Sequence, residues 1–121
     1  PGEILPTHGA YDFDDKYYAG TAGLVVPADV PDEVTAEIRG LARRACAALR
    51  VDAMARVDFF YEPGSRLVVN EVNTIPGFTP ISMYPRLWAA SGVPYAALLD
   101  RLVDLAVRRR AYRDRLSTAR R

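Results

Sequence analysis

A hairpin pattern between residues 54 and 73 constrains the fold of this chain more than any other feature. Two runs rich in Val, Phe, Tyr and Leu, Met54 to Tyr61 and Arg66 to Val72, flank the segment Glu62-Pro63-Gly64-Ser65. Strand-forming runs on either side of a Pro-Gly turn are typical of two antiparallel strands. The sequence therefore predicts a β-hairpin.

The register of this hairpin decides which side chains share a face. A turn centred between Pro63 and Gly64 pairs residues whose numbers sum to 127, which places Arg56 opposite Glu71. Because side chains alternate along a strand, one face is polar and the other apolar. The predicted polar face holds Arg56, Asp58, Val69, Glu71 and Asn73, and the apolar face holds Val57, Phe59, Tyr61, Val68 and Val72. In this register Asp58 and Glu71 are diagonal neighbours, about 7–8 Å apart at the backbone.

Three oxygen-bearing side chains on the polar face indicate a metal site. Asp58, Glu71 and Asn73 supply two carboxylates and one amide. Mg²⁺ prefers such oxygen ligands, and it completes its coordination with water and with substrate phosphates. The alternative is an ordinary amphipathic hairpin whose solvated face carries a cross-strand Arg56–Glu71 ion pair, an interaction of little energetic value.

The segment that follows the second strand carries a family resemblance. Glu71-Val72-Asn73-Thr74-Ile75-Pro76-Gly77-Phe78-Thr79, followed by Pro80-Ile81-Ser82-Met83, resembles the C-terminal signature of the D-alanine–D-alanine ligases, a branch of the ATP-grasp family. Tyr11-Asp12-Phe13-Asp14-Asp15-Lys16-Tyr17 is similar to the family's mobile active-site loop. The resemblance extends from about residue 2 to residue 107.

The resemblance implies an α+β fold, the C-terminal part of an ATP-grasp fold, in which helices pack on an antiparallel sheet. The expected parts are a mobile active-site loop, a metal-binding hairpin, a substrate loop and a C-terminal helix, at residues 8–23, 54–73, 74–83 and 94–118. No glycine-rich phosphate loop occurs in the sequence. The N-terminal and central domains of such a ligase are therefore expected to lie outside this chain.

The same resemblance implies the chemistry of the metal and the nucleotide. ATP would phosphorylate the carboxylate of one D-alanine, and the amine of a second D-alanine would displace the phosphate. Asp58, Glu71 and Asn73 would hold two Mg²⁺ ions, for which Mn²⁺ can substitute. Glu71 would bridge the two ions and contact the phosphates, and Lys16 would bind phosphate from the mobile loop.

Further roles implied by the resemblance concern the second substrate. Arg56 and the backbone N–H of Gly77 would stabilise the oxyanion formed on the attacked carbon. Ser82, with the Met83 amide, would bind the carboxylate of the second amino acid at a helix start, a natural anion site. Tyr17 would dock the closed loop, and a tyrosine there favours an amine over a hydroxy acid as second substrate.

Helices are predicted on either side of the hairpin. An apolar stripe at helical spacing and Pro31 as first helical residue indicate a helix over residues 31–50. The stripe consists of Val34, Ile38, Leu41, Ala42, Ala45 and Leu49. Gly40 weakens this helix by about 1 kcal/mol relative to alanine, and we expect it to mark a close packing contact. A second helix runs from about Ser82 to Ala90, ends at Ser91-Gly92-Val93-Pro94, and is followed by a third from Tyr95.

Composition limits the remaining possibilities. The 121 residues fit one domain, and a hydrophobic content of 50% is expected to support a real core. The net charge of +1 gives no general attraction to nucleic acid or to acidic membranes. We therefore expect neither as a partner. The resemblance implies a cytoplasmic enzyme that needs the missing N-terminal part of the same protein. The arginine-rich C-terminal end is interpreted as a solvated helix end, with a nucleic-acid arm as the lesser alternative.

Two alternatives to this function stay open at the sequence level. A related D-Ala–D-Ser or D-Ala–D-Lac ligase shares the same motifs. An inactive fragment, acting only as a folding or interaction module, would carry them without turnover. A homodimer is compatible with the sequence.

Overall fold

The computed structural model describes residues 1–5, 23–79 and 81–116. Its elements, in chain order, are β1 (Glu3–Leu5), β2 (Gly23–Val25), α1 (Asp32–Ala48), β3 (Arg56–Glu62), β4 (Arg66–Asn73), α2 (Met83–Ala90) and α3 (Tyr95–Arg115). The predicted hairpin and the three predicted helices are confirmed. Most of the predicted loop 8–23 lies outside the described residues, and Gly23 begins β2.

The described strands form two antiparallel two-stranded sheets, β1–β2 and β3–β4, rather than one small sheet. Glu3 pairs with Val25 in the first sheet, and β3 pairs with β4 along its whole length in the second. The second sheet carries the residues predicted to bind metal. Its register therefore decides their geometry.

The predicted register of the β3–β4 hairpin is wrong by one residue at the turn. Ser65 N–H donates to the Glu62 carbonyl at 3.0 Å, and Gly64 adopts φ +72°. Proline before a glycine with positive φ is the signature of a type II turn, which splays the two strands more than the primed turns do. Pairing accordingly begins with Glu62 opposite Arg66.

An irregularity in β4 then shifts the register by one residue more. Phe59 pairs with Val69 but Asp58 pairs with Glu71, so Asn70 is an extra residue, as in a β-bulge. Arg56, Asp58, Glu71 and Asn73 share one face, as predicted, but Asp58 and Glu71 are direct partners rather than diagonal neighbours. The bulge also moves Val68 to this face, opposite Phe60, and moves Val69 to the apolar face; both of those predictions are wrong.

Helix α1 contacts β4. It begins after Pro31, which caps the helix rather than forming its first residue. Its inward stripe is half-buried, whereas Leu49, predicted to belong to that stripe, is exposed at the helix end. Apart from its chain neighbours and the adjacent backbone of α1, a Cβ atom added to Gly40 would meet no described atom within 4 Å, so the predicted close packing at Gly40 is wrong.

Helices α1 and α2 end in the same hydrogen-bonded motif built from different residues. In α2, Val93 N–H donates to Trp88 O and Gly92 N–H to Ala89 O, with Gly92 at φ +82°. In α1, Val51 and Arg50 donate to Cys46 and Ala47, with Arg50 at φ +52°. Both are Schellman motifs, which favour glycine at the left-handed position.

We expect Arg50→Gly to raise the free energy of unfolding by about 1 kcal/mol, because an L side chain in the left-handed region costs about that much. Thermal unfolding of the full-length protein measures the gain. Gly92→Ala is the matched control, and its melting temperature is expected to fall. An unchanged or lower stability of the Arg50→Gly variant would show that the arginine side chain offsets its backbone strain.

The described apolar core is small and lies where α2 meets α3. Tyr84, Val93 and Leu98 are its buried members, with Met54, Phe78, Ala97 and Leu102 packed against them. The expectation of a larger core is not met, because many large apolar side chains of the described strands and helices stay exposed. Over the same residues, no helix has both the length and the hydropathy that crossing a membrane requires.

Candidate active site

A charged cluster occupies the polar face of the β3–β4 hairpin. The guanidinium of Arg56 binds both carboxylate oxygens of Asp58, with Nε–Oδ1 at 2.7 Å and Nη2–Oδ2 at 2.8 Å. Its Nη2 lies 3.6 Å from Glu71 Oε1. Arg56 and Asp58 are half-buried, whereas the Glu71 side chain is 53% exposed. The Arg56–Glu71 ion pair of the alternative interpretation thus exists, and it is longer than the Arg56–Asp58 pair.

Asn73 completes this face at the end of β4, opposite Arg56. Its Oδ1 accepts the backbone N–H of Ile75 at 3.0 Å. That bond fixes the direction of the amide and starts the chain's turn into the following loop. A carbonyl oxygen has two lone pairs, so Asn73 Oδ1 keeps one for a further ligand.

The donor set of this face fits a hard divalent cation. Asp58 and Glu71 face each other directly, and Asn73 lies two positions along the strand from Glu71. A carboxylate offers about four lone-pair positions, so the two bonds from Arg56 leave Asp58 able to bind a cation as well. Carboxylate and amide oxygens suit Mg²⁺. The described residues hold no group of three or more His, Cys, Asp or Glu side chains placed for a metal. The predicted set has two carboxylates, and its third member is the amide of Asn73.

Apolar side chains continue the same face toward the turn. Phe60 is 66% exposed and Val68 is 42% exposed, and the two are cross-strand partners. The sequence prediction missed this surface because it placed Val68 on the opposite face. The only sequence signal was Phe60 itself, at even spacing from Arg56 and Asp58.

The loop after β4 is folded back on the start of α2 by Ser82. Ser82 Oγ accepts the backbone N–H of Thr79 at 3.1 Å and lies 2.8 Å from Thr79 Oγ1. Ser82 N–H in turn donates to Thr79 O at 2.9 Å. A Cβ atom added to Gly77 would lie 2.8 Å from Ser82 Oγ. The structure therefore brings Gly77 and Ser82 together, as the predicted substrate loop requires.

Thr79 is the residue of this loop that sequence reasoning left without a role. Both its backbone N–H and its hydroxyl contact Ser82 Oγ. The available signal was a threonine three residues before a serine at a helix start, a spacing at which such side chains bond to nearby backbone groups.

Met83 is the first residue of α2, and Ser82 precedes it as the cap. A methyl group on Gly2 would lie 2.6 Å from Met83 Cε, so the Met83 side chain packs beside the residue preceding β1. Of the groups of Met83, it is therefore the backbone amide, at the positive end of α2, that is suited to an anion.

Three aromatic rings connect the loop to both C-terminal helices. The Phe78 ring centroid lies 5.5 Å from that of Tyr84 in α2 and 5.6 Å from that of Tyr95 in α3. Burial raises the pKa of Tyr84, and a hydrogen bond with Trp88 opposes that rise. Tyr84 is therefore neutral at physiological pH, and the cluster contributes no charge to the site.

Lys16 and Tyr17, the two site residues of the loop predicted over residues 8–23, lie outside the described residues. Their proximity to the hairpin stays a prediction.

Comparisons with known protein families and sequences show which family this chain belongs to. A protein-family profile described as "D-ala D-ala ligase C-terminus" matches residues 1–104. The chain belongs to the D-alanine–D-alanine ligase family. A D-alanine–D-alanine ligase of Solibacter usitatus is 54% identical over 110 residues, which make up 90% of this chain. One from Chlorobaculum parvum is 54% identical over 112 residues, or 92% of this chain.

Solved structures of the family agree with the described fold. The D-alanine–D-alanine ligase from Coxiella burnetii superposes with a TM-score of 0.75 at 45% identity and covers 78% of this chain. The VanG D-Ala:D-Ser ligase from Enterococcus faecalis gives a TM-score of 0.73 at 36% identity over 86% of this chain. The predicted α+β fold, as the C-terminal part of an ATP-grasp ligase, is confirmed.

The chain corresponds to about one third of the length of these relatives and solved structures. It spans 34% of the Solibacter relative and 31% of the Chlorobaculum relative. It spans 27% of the Coxiella structure and 30% of the VanG structure. The remaining two thirds of those proteins have no counterpart in these 121 residues.

Proposed function

We propose that the full-length protein joins two D-alanines into D-alanyl-D-alanine, using ATP to form an acyl phosphate, for peptidoglycan precursor synthesis in the cytoplasm. This chain carries the metal and second-substrate half of the site. The observation that carries the proposal is the direct pairing of Asp58 with Glu71, with Asn73 beside them. The relatives named D-alanine–D-alanine ligase support the choice of substrate.

Asp58, Glu71 and Asn73 are proposed to hold Mg²⁺ at the polar face. The bound metal would supply positive charge that offsets the phosphate oxygens of ATP during phosphoryl transfer. Phe60 and Val68, exposed on the same face, offer an apolar surface suited to an uncharged base. One face of the hairpin thus offers groups for both ends of a nucleotide.

Arg56 and Gly77 are proposed to receive the negative charge that forms when the amine attacks the acyl carbon. Arg56 is a fixed guanidinium, already oriented by Asp58 and Glu71. The Gly77 N–H adds a backbone donor. Preorganised donors of this kind are worth several kcal/mol in acyl transfer.

Ser82 and the Met83 amide are proposed to bind the carboxylate of the second amino acid. Ser82 Oγ accepts the N–H of Thr79, and when the Thr79 hydroxyl also donates to it, the proton of Ser82 is left to donate. A serine hydroxyl can accept two hydrogen bonds and donate one. The first turn of α2 carries no acidic residue that would repel the carboxylate.

Lys16 and Tyr17 are proposed to complete the site from the mobile loop. Lys16 would bind phosphate as a compact point charge, and Tyr17 would dock the loop through its hydroxyl. Closure would exclude the water that hydrolyses an acyl phosphate.

A D-Ala–D-Ser ligase is the second candidate, favoured by the similarity to the VanG ligase. Competition between D-alanine, D-serine and D-lactate, with product analysis, separates these functions. We expect D-alanyl-D-alanine to predominate with the full-length protein, ATP and Mg²⁺. A predominant D-Ala-D-Ser or D-Ala-D-lactate product would overturn the proposed specificity, and no ligated product with any acceptor would overturn the proposed activity.

The isolated chain of residues 1–121 is expected to be inactive. It contains no glycine-rich phosphate loop, and it spans about a third of its relatives. Purified chain with ATP, Mg²⁺ and D-alanine should release phosphate no faster than a protein-free blank. Release above that blank would show that the missing two thirds are dispensable for phosphoryl transfer.

A further inference from the structure

We infer that Tyr95, on the first turn of α3, is a positioning residue for residues 77–79 of the substrate loop, an inference that rests on the proposed function. Tyr95 acts through Phe78 rather than on the reacting atoms. The observation that supports this inference is that residues of α2 and α3 both contact Phe78 of the loop.

The peptide group between Phe78 and Thr79 is held on both sides. Its carbonyl accepts a hydrogen bond from the Tyr95 hydroxyl at 3.2 Å, and its N–H donates to Ser82 Oγ at 3.1 Å. A peptide group is planar, so fixing its oxygen and its hydrogen fixes the orientation of the whole plane. Tyr95 and Ser82 thereby clamp one peptide from two different helix starts.

The side chain of Phe78 is anchored as well. Its ring is tilted at 47° to that of Tyr84 and at 58° to that of Tyr95. Both centroid distances lie within the range of about 4.5–7 Å that aromatic pairs favour. Tyr84 is 5% exposed and also contacts Trp88. The loop therefore rests on a buried ring that cannot move without repacking α2.

Gly77 lies between two fixed residues. Pro76 on one side is buried, and Phe78 on the other is held by the contacts above. Because glycine has wide conformational freedom, the direction of its N–H depends on its neighbours. Donors to a developing oxyanion are effective only when they are oriented before the reaction. The Tyr95 hydroxyl therefore contributes to the orientation of the Gly77 donor.

This role predicts a selective kinetic defect. Among the described residues, those proposed for metal and nucleotide lie on β3 and β4. The hydroxyl and ring contacts of Tyr95 given above are both with Phe78 of the loop. Tyr95→Phe keeps the ring contact with Phe78 and removes only the hydroxyl. The change should therefore weaken binding of the transition state and leave the apparent affinity for ATP unchanged.

The test uses Tyr95→Phe in the full-length protein. We expect kcat for dipeptide formation to fall by about three- to tenfold, since small displacements of a positioned group already cost rate. Affinity for an unreactive tetrahedral analogue of the attacked carbonyl should fall by about the same factor. The KM for ATP and the melting temperature should match those of the wild type. Tyr112→Phe is the matched control, because Tyr112 is an exposed tyrosine of the same helix that contacts Arg115 instead.

Two results would overturn the inference while the proposed function stands. One is a Tyr95→Phe enzyme with wild-type kcat and wild-type affinity for the tetrahedral analogue. The other is a general loss, in which KM for ATP rises and the melting temperature falls together with kcat, as a purely structural residue would give. A wild-type enzyme that forms no dipeptide would instead overturn the proposed function, and the inference with it.

Discussion

Replacement of Glu71 by glutamine in the full-length protein is expected to lower dipeptide formation by about three orders of magnitude. Glutamine keeps the shape of the side chain but removes the charge that a divalent ion requires. Loss of several kcal/mol of charge stabilisation, at about 1.4 kcal/mol for each factor of ten, gives an effect of this size. Initial rates at saturating ATP and D-alanine measure it.

The free energy of unfolding should change little in the Glu71→Gln variant. The Glu71 side chain is 53% exposed and lies 3.6 Å from Arg56. Exposed ion pairs contribute about 0–1 kcal/mol. Glu62→Gln is the matched control, because Glu62 is an exposed glutamate on the same face at the turn end of the hairpin. Both variants should melt near the wild type, and only Glu71→Gln should lose activity. Equal activity of the two would remove Glu71 from the mechanism.

Gly77→Ala is expected to cost about two orders of magnitude in kcat/KM, since misplacement of a reacting group by about 1 Å has effects of that size. The new methyl group would lie 2.8 Å from Ser82 Oγ. That oxygen cannot turn away freely, because Thr79 N–H and Thr79 Oγ1 both contact it. The loop must therefore shift. Steady-state kinetics with D-alanine as the varied substrate should show the loss.

Gly40→Ala supplies the control for a glycine-to-alanine change. Gly40 is inside α1, and apart from its chain neighbours and the adjacent helix backbone no described atom lies within 4 Å of the added carbon. We expect the free energy of unfolding to rise by about 1 kcal/mol with kcat/KM unchanged. If Gly77→Ala retained full activity, the close approach of Gly77 to Ser82 would have no functional role.

The hairpin shows how far sequence reasoning reaches. Alternation along two strands identified the four polar residues that share a face. Two local features defeated the exact pairing: Pro63 imposes a type II turn, and Asn70 is an extra residue in β4. A bulge depends on the strand's environment rather than on its hydrophobic alternation, so periodicity alone could not place it. With both shifts in register, Asp58 and Glu71 lie directly opposite each other.

The substrate loop shows which contacts motif resemblance does not predict. Motif resemblance selected Gly77 and Ser82, and the structure brings them into contact. It did not select Thr79, Tyr84 or Tyr95, which hold the loop through hydrogen bonds and ring contacts. Tyr95 lies seventeen positions beyond Phe78. Contacts over such a separation arise from the packing of α2 and α3, and no local sequence pattern encodes them.

The most direct test of the metal site is a crystal structure of the full-length protein with Mn²⁺ and a non-hydrolysable ATP analogue. Anomalous scattering locates the ions without reference to activity. We expect peaks within coordination distance of Asp58, Glu71 and Asn73, in contact with the phosphates, and their loss or weakening in Glu71→Gln. Ions bound to the phosphates but distant from all three side chains would contradict the proposed metal site.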